Sequence, residues 1–400
     1  MLAALKRQWS MYDLQYVFIA LVFFVDFSII QLPTLIPRFI LAGLLITSFF
    51  IPYIKRFTVP ALPIFTWLTT FYACQFIPLD YRPDHIFVNL LPTLERILYG
   101  ANLSEIISQH THPVLDVLAW LPYGVIHFSF PFILSLLLFV YGPPGCLKIF
   151  GKAFGFMNLA GVLTQLLFPN ASPWYEIIYG SAPADYSIPG EAGGLLRIDE
   201  ILGLDLYGST FGTSPLVFGA FPSLHSGCAT IEMLFFAYLF PRMKPVAIFY
   251  VMWMWFSTMY LTHHYMIDLV GGSIYAILAF AVAQNFLPKV NPDYHTRMDY
   301  LGVSKLSIRS FLYSIEHDPR DYYKLPMTSD EEEKNVVRAI RPEPLRVATA
   351  ELFTTYKTEE EVVALPALSP GYWSSTSEPT SPITPHTPSS GSPRLQFNKP

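Results

Sequence analysis

Long apolar runs, interrupted by prolines and pairs of basic residues, constrain the fold of this chain more than any other feature. A helix needs roughly 17–25 apolar residues to cross the hydrocarbon core of a bilayer. Runs of this kind, a few of them short, lie near residues 14–32, 37–54, 61–78, 117–141, 151–168, 223–240, 245–262 and 265–287. Only 14% of the residues are charged, whereas soluble domains carry about 25%. The sequence therefore predicts an all-α, polytopic membrane protein with about eight transmembrane helices.

The basic residues of the short loops predict the orientation of these helices, because Lys and Arg favour the cytosolic side. They cluster at alternate helix ends, as Lys6 and Arg7, Lys55 and Arg56, Lys148 and Lys152, and Arg242 and Lys244. Both termini are then cytosolic, and the long loops 79–116 and 169–222 lie on the opposite side. No cleavage signal follows the first apolar run, so we expect it to be a retained span.

The composition changes near residue 290, where the apolar runs stop. The stretch 365–400 is rich in Ser, Thr and Pro, which is typical of disorder. We therefore predict a transmembrane domain over 1–290 and a cytosolic, largely disordered tail over 291–400. The net charge of −5 gives no argument for nucleic-acid binding, and the three cysteines lack CxxC spacing. Buried, unpaired thiols are expected, rather than disulfides or a zinc site.

Polar residues interrupt the apolar pattern at "THHYMID", residues 262–268. His264 and Asp268 are four residues apart, so a helix would place them on one face. A carboxylate at that offset can accept a hydrogen bond from the imidazole Nδ1 and leave Nε2 free as a nucleophile. Ionisable residues at membrane depth are usually functional. This pair taken alone is equally consistent with a site and with a structural polar contact.

A second histidine stretch, "GAFPSLHSGCAT", covers residues 219–230 and places His225 just before an apolar run. The alternating topology puts His225 on the same side of the membrane as His264. Ser223, Ser226 and Gly227 surround it at the start of a predicted helix, where hydroxyls and backbone N–H groups favour an anion. These three residues are candidate substrate contacts.

Two histidines and an orienting Asp can carry out phosphoryl transfer without a metal. One imidazole attacks phosphorus, and the other protonates the leaving alkoxide and then deprotonates the incoming hydroxyl. The rival interpretation is a metal site, since two His and one Asp form a common ligand set. The small residues around His225 favour an anion site instead, so no metal and no cofactor is expected.

The motifs that carry these residues resemble known families. "PSLHSG" followed by "HHYMID" resembles the second and third motifs of the type-2 phosphatidic acid phosphatase superfamily. Longer stretches over roughly 80–290, among them "LLPTLERILYG" and "MYLTHHYMIDLVGG", resemble the catalytic subunits of fungal inositol phosphorylceramide synthases, the targets of aureobasidin-type antifungals.

The resemblance implies a phosphatidic-acid-phosphatase-like helical core and transfer of phosphoinositol from phosphatidylinositol to the primary hydroxyl of ceramide, with release of diacylglycerol in the Golgi lumen. It assigns the nucleophile to His264, the orienting role to Asp268 and the acid/base role to His225. It also implies a small membrane regulatory subunit as a partner.

The chain departs from the phosphatase pattern in its cations. The Lys and Arg of the first phosphatase motif are missing upstream of His225, and Ser257-Thr258 stands where a Ser-Arg pair is expected. A site without them suits a singly charged phosphodiester better than a phosphate monoester. Arg197 is a candidate to hold a phosphate or inositol oxygen, or else a partner of Asp199 or Glu200. Tyr186 is a candidate for an inositol pocket, or else an interfacial aromatic.

Other interpretations remain open from the sequence. A lipid phosphate phosphatase would use the same nucleophile with water as acceptor. A transporter could use His264 and Asp268 as a proton relay, although no inverted repeat is visible, and a scaffold would leave the two histidine stretches unexplained. We expect His127 and Asp26, which lie inside predicted spans, to form buried hydrogen bonds. His263 is expected beside the site or at the surface.

Overall fold

The computed structural model describes residues 13–303 together with 307–308, 311–312 and 315. Most of the predicted cytosolic tail lies outside these residues. The described residues form helices and irregular segments without a β-strand, and two isolated β-bridges join Asn170 to Phe87 and to Gly219.

The helices follow one another in this order: α1 (Leu14–Ile29), α2 (Leu35–Ser48), α3 (Pro52–Ala73), α4 (Leu90–Tyr99), α5 (Leu103–Ser108), α6 (Pro113–Trp120), α7 (His127–Val140), α8 (Cys146–Leu167), α9 (Pro173–Tyr179), α10 (Leu196–Leu202), α11 (Tyr207–Gly212), α12 (Leu224–Leu239), α13 (Lys244–Tyr260), α14 (Met266–Gln284) and α15 (Arg297–Tyr300). A π-helical turn, Leu121–Ile126, joins α6 to α7.

All of the predicted apolar runs fall on helices, which confirms the all-α prediction for the described residues. Four helical stretches there are long and apolar enough to cross a membrane, namely Pro52–Phe76, Pro113–Val140, Cys146–Leu167 and Met266–Gln284. Leu14–Ile29, Leu35–Ser48 and Leu224–Leu239 are apolar but shorter. The protein therefore has the helices of a multi-pass membrane protein, while the number eight stays a prediction.

The core forms where α12 is held between α8 and α14. A Cβ on Gly272 of α14 would overlap the carbonyl oxygen of Ser223, and a Cβ on Gly227 of α12 would lie 3.0 Å from Met157 Sδ. The Ser223 N–H donates to the Asp268 carbonyl at 3.0 Å. Small residues of this kind let helix backbones approach closely in membranes. The starts of α12 and α14 are thus fixed against each other.

Two carboxylates anchor the long loops to the start of α14. Glu95 of α4 is fully buried, and it accepts bonds from the backbone N–H groups of Leu103 at 2.9 Å and Met266 at 3.0 Å. Glu176 of α9 accepts bonds from the side chains of Arg96, Asn102 and Tyr265. The run "LLPTLERILYG" thus forms α4, which caps α14.

The three cysteines and Asp26 lie where the sequence predicts. Cys74, Cys146 and Cys228 are buried and unpaired, as expected. Asp26 accepts a hydrogen bond from the Thr70 hydroxyl at 2.8 Å, which confirms the buried contact predicted for it.

We expect Gly272→Ala to lower the free energy of unfolding by about 1–3 kcal/mol, the usual range for overpacking, because the added methyl meets backbone that cannot rotate away. The matched control is Gly43→Ala on α2, where a Cβ would find nothing within 4 Å. That change should be neutral or stabilising by up to ~1 kcal/mol, since Ala favours helix over Gly. Thermal unfolding in detergent measures both, and equal melting temperatures for the two variants would contradict the packing.

We expect Glu95→Gln to destabilise the fold by about 1–3 kcal/mol at pH 5. The amide nitrogen would face one of the two backbone N–H donors, whereas the hydroxyl oxygen of a protonated carboxyl can still accept a hydrogen bond. Burial raises the pKa of Glu95 in the folded protein to about 7, above the pKa of the same group in the unfolded chain. The stability contributed by the protonated carboxyl is therefore complete below the pKa of the unfolded chain and is lost as the pH rises towards 7. The difference in melting temperature between wild type and variant should therefore narrow from pH 5 to pH 8.

The neighbouring change Arg96→Gln, at an ion pair in which the arginine is half exposed, is the control and should cost less than ~1 kcal/mol. A difference for Glu95→Gln that stays constant or widens with pH would contradict the assigned burial.

Candidate active site

His225 is placed by the first turn of α12. The hydroxyl of Ser223 accepts the N–H of Ser226 at 3.3 Å and caps this helix, as Ser commonly does at an N-cap. His225 is the second residue of the helix, so its ring projects from the end where α12 meets the loop before α14.

His264 lies in the tight turn that joins α13 to α14. Thr262 has a φ of 65°, a left-handed conformation that is strained for a β-branched residue. Neighbouring segments hold this turn, because the N–H of Trp174 donates to the Thr262 carbonyl at 3.0 Å and that of Gly194 donates to the Leu261 carbonyl at 3.1 Å. Strain of this type concentrates at functional sites.

The structure brings His225 and His264 into direct contact. His225 Nδ1 lies 3.3 Å from His264 Nε2. The other ring nitrogen of His264, Nδ1, lies 3.1 Å from the carbonyl oxygen of Ala220. A carbonyl can only accept a hydrogen bond, so Nδ1 of His264 must carry a proton.

Asp268 lies beside His264, but its nearest carboxylate oxygen is 3.6 Å from Nδ1, beyond hydrogen-bonding distance. Oδ2 instead accepts the N–H of Tyr265 at 2.9 Å, which ties the carboxylate to the first turn of α14. Oδ1 is buried without a hydrogen-bond partner. Ala220 thus occupies the position that the sequence assigned to Asp268, while the carboxylate remains close enough to attract a charged His264.

Two aromatic residues that the sequence analysis did not place at the site pack against His225. The Tyr123 ring stacks on His225 with centroids 4.3 Å apart, and the His127 ring lies 4.7 Å from it. Nδ1 of His127 has no hydrogen-bond partner, so the buried hydrogen bond expected there is absent at this atom. The two residues are four apart across the π-helical turn, a feature frequent at functional sites. The Pro122 and Gly124 inside an apolar run were the available signal.

His263 is buried rather than at the surface. Its ring lies between those of Tyr123 and Phe211, with centroids 5.3 and 4.7 Å away. Burial lowers the pKa of His263 to about 3 and that of His264 to about 4. Both imidazoles outside the helices are therefore neutral at pH 7, and a neutral imidazole is the nucleophilic form.

The small residues around His225 make structural contacts. The Ser226 hydroxyl donates to the Leu269 carbonyl at 2.6 Å and accepts the indole N–H of Trp255 at 2.7 Å. Gly227 allows the close approach of Met157 described above. Ser223, Ser226 and Gly227 thus connect α12 to its neighbours. The substrate contacts expected for them stay predictions.

Arg197 lies in a segment that packs against the turn before His263. Its Nε donates to Asp116 at 2.7 Å, rather than to Asp199 or Glu200, and its guanidinium lies over the Tyr260 ring. Asp116 also accepts the Tyr260 hydroxyl at 2.8 Å. Nη2 of Arg197 is buried without a hydrogen-bond partner. No acceptor among the described residues satisfies this donor.

Tyr186 belongs to a different part of the molecule. Its hydroxyl donates to the Pro83 carbonyl at 3.1 Å, and Arg82 stacks on its ring. It lines a cavity of about 140 Å³ with Gln75 and Gln165. None of the three predicted catalytic residues lines that cavity, so the structure does not bring Tyr186 together with them.

Comparison with known proteins gives consistent relationships. The profile of the PAP2 superfamily matches residues 93–282, a range that includes both histidines and Asp268. The inositol phosphorylceramide synthase catalytic subunit of Schizosaccharomyces pombe is 48% identical over 74% of this chain and 70% of its own length. The inositol phosphorylceramide synthase of Candida albicans is 47% identical over 77% of this chain and 65% of its own length.

A more distant relative, the phosphoinositol dihydroceramide synthase of Bacteroides thetaiotaomicron, is 30% identical over 53% of this chain and 72% of its own length. No solved structure matches the chain. The resemblance predicted from the sequence is confirmed by these relatives. The chain belongs to the inositol phosphorylceramide synthase family, and the PAP2 superfamily profile matches its residues 93–282.

Proposed function

We propose that this protein is an inositol phosphorylceramide synthase, which transfers phosphoinositol from phosphatidylinositol to the primary hydroxyl of ceramide and releases diacylglycerol. Family membership supports this activity, since relatives at 45–48% identity carry that name. The observation that carries the mechanism is the 3.3 Å contact between His225 Nδ1 and His264 Nε2.

The tautomers of the two rings assign their roles. Because His264 Nδ1 donates to the Ala220 carbonyl, its Nε2 holds a lone pair in the neutral ring. The hydrogen between the rings must then belong to His225 Nδ1. His264 presents a nucleophilic nitrogen and His225 presents a proton, which is the division of roles that the transfer needs.

In the first step, His264 Nε2 attacks phosphorus and the bond from phosphorus to the diacylglycerol oxygen breaks. His225, protonated to an imidazolium beside the anionic phosphodiester, gives one proton to that oxygen and becomes neutral, so diacylglycerol leaves and phosphoinositol remains on His264. In the second step, His225 takes the proton of the ceramide hydroxyl, whose oxygen attacks phosphorus and breaks the N–P bond. Attack and departure occur in line, so the two rings must separate beyond 3.3 Å when lipid enters.

Charged groups around the two histidines can balance the charges that arise during transfer. His264 becomes cationic at its phosphorylated ring, and Asp268, 3.6 Å away, offsets that charge. The unpartnered Nη2 of Arg197 supports a contact with a phosphate or inositol oxygen. Asp116 and Tyr260 hold that guanidinium in place and leave one edge to the ligand.

The location and partners follow from the sequence and the family resemblance. We infer a multi-pass Golgi membrane protein with eight spans, a lumenal active site and cytosolic termini. Both substrates live in the bilayer, so they should enter laterally between helices. The small membrane regulatory subunit remains part of this proposal. A hydrolase of the same superfamily is the competing activity, and the identity of the acceptor separates the two.

We expect His264→Ala to reduce transfer to background and His225→Ala to reduce it by roughly 10²–10⁴-fold, the usual contribution of general acid–base catalysis. The assay supplies purified protein with phosphatidylinositol labelled in the inositol ring, with and without ceramide, and follows the label by chromatography. With ceramide, the label should move to a ceramide lipid.

The control for this assay is His110→Ala, at an exposed histidine, which should keep the wild-type rate. Transfer by His264→Ala at the wild-type rate would contradict the site. Label appearing as water-soluble inositol phosphate, with none in ceramide, would favour the hydrolase.

We expect Arg197→Lys to raise the KM for phosphatidylinositol several-fold while changing kcat less. A lysine keeps a cation beside Asp116 but loses the planar second donor. Arg96→Lys, at the ion pair with Glu176, is the matched control and should leave both constants unchanged. Unaltered kinetics in Arg197→Lys would show that Nη2 does not contact the substrate.

A further inference from the structure

A large groove lies among α1, α3, α8 and α14. It is separate from His225, His263 and His264, which together are called the imidazole cluster. Its volume is about 1330 Å³, whereas pockets for drug-sized molecules span about 300–1,000 Å³. Apolar side chains of α3, α8 and α14, among them Val59, Phe156 and Leu278, form most of its wall. Its size and lining fit a lipid better than a small metabolite.

Positive charge collects at one end of this groove. Lys55 and Arg56 come from the first turn of α3, and Lys148 and Lys152 come from the first two turns of α8. Among the residues that the structure describes, Asp13 is the single acidic residue of the lining. These two basic pairs predict the cytosolic side of the membrane, and the fold brings them together around one opening. The mouth of the groove is therefore complementary to an anionic group.

The groove has the depth of one leaflet. Its lining on α8 runs from Lys148 to Ala160, a distance of about 18 Å at the helical rise. Half of the hydrocarbon core is roughly 15 Å. Cations at the mouth and apolar residues over this depth match a headgroup phosphate and its acyl chains.

The groove opens at the end of the molecule opposite the histidines. Asp268 lies in the first turn of α14, whereas the groove is lined by Tyr275 and by residues further along the helix as far as Phe286. Phe286 lies about 27 Å beyond Asp268 at the helical rise. At its inner end, the Tyr275 hydroxyl lies 2.8 Å from that of Thr164.

We propose that this groove binds an anionic glycerophospholipid from the leaflet opposite the imidazole cluster. Lys148, Lys152 and Lys55 hold the phosphate, and the acyl chains lie along Phe156, Leu278 and their neighbours. The Lys152 ammonium lies 3.5 Å from the Tyr16 hydroxyl, so a phosphate bound there also joins α1 to α8. Recognition rests on net negative charge and two chains, so any anionic headgroup of modest size suffices.

Delipidated full-length protein in neutral detergent is titrated with phosphatidylserine and, separately, with phosphatidylcholine, and binding is followed by melting temperature and native mass spectrometry. Phosphatidylserine should bind and raise the melting temperature, and phosphatidylcholine should bind at least tenfold more weakly. Each lysine near an anionic lipid strengthens binding about fivefold. Lys148→Gln combined with Lys152→Gln should therefore weaken phosphatidylserine binding about 30-fold.

The control for charge is Arg242→Gln with Lys244→Gln, at a basic pair that is exposed and outside the groove. It should leave binding unchanged. For shape, Leu278→Trp should fill the groove and block binding, whereas Ile277→Trp on the adjacent exposed face of α14 should not.

Equal binding of the two lipids, or equal losses in both lysine pairs, would overturn the proposal in favour of general attraction to the surface. Absence of phosphatidylserine binding would overturn the proposal whatever phosphatidylinositol does, because the proposed active site binds phosphatidylinositol as its substrate. The readout is binding and not transfer, so these outcomes are independent of the proposed catalytic function.

Discussion

The close approach of α14 to the start of α12 is the constraint on which the site depends. Gly272 leaves room for the Ser223 carbonyl, and the Ser223 N–H donates to the carbonyl of Asp268. This contact places the second residue of α12, His225, against the turn that carries His264. Two short stretches that are far apart in sequence thereby contribute adjacent imidazoles. A side chain at position 272 would move both histidines.

Burial of this cluster explains how imidazoles can be chemically useful at membrane depth. Charged groups are costly in such an environment, and burial keeps His263 and His264 neutral at physiological pH. The Ala220 carbonyl then fixes which nitrogen of His264 carries its proton. Asp268 is close enough to stabilise the ring once it becomes cationic, without drawing the proton away beforehand. Backbone geometry thus decides, as much as the side chains do, which ring nitrogen donates a hydrogen bond and which one accepts.

The sequence alone was sufficient for the helical class and for the meeting of His225 with His264. Several apolar runs have the length that lipid imposes, and the two motifs are specific. It could not provide the Ala220 carbonyl, because a backbone acceptor leaves no residue signature. It also missed Tyr123 and His127, since a π-helical turn shifts which faces of an apolar run point inward. Arg197 pairs with Asp116, 81 residues away, and such a partner depends on the tertiary fold. The number of membrane crossings stays a prediction for the same reason, because several helices here are short for a span.

The covalent state of His264 during turnover tests most directly whether this residue is the nucleophile. Wild-type protein is mixed with phosphatidylinositol in the absence of ceramide, quenched in alkali, where phosphohistidine persists, and digested for mass spectrometry. The account predicts phosphoinositol on the peptide that contains residue 264, and disappearance of this adduct when ceramide is added before the quench. An adduct on residue 225, or undiminished transfer to ceramide with no adduct at any time, would contradict it.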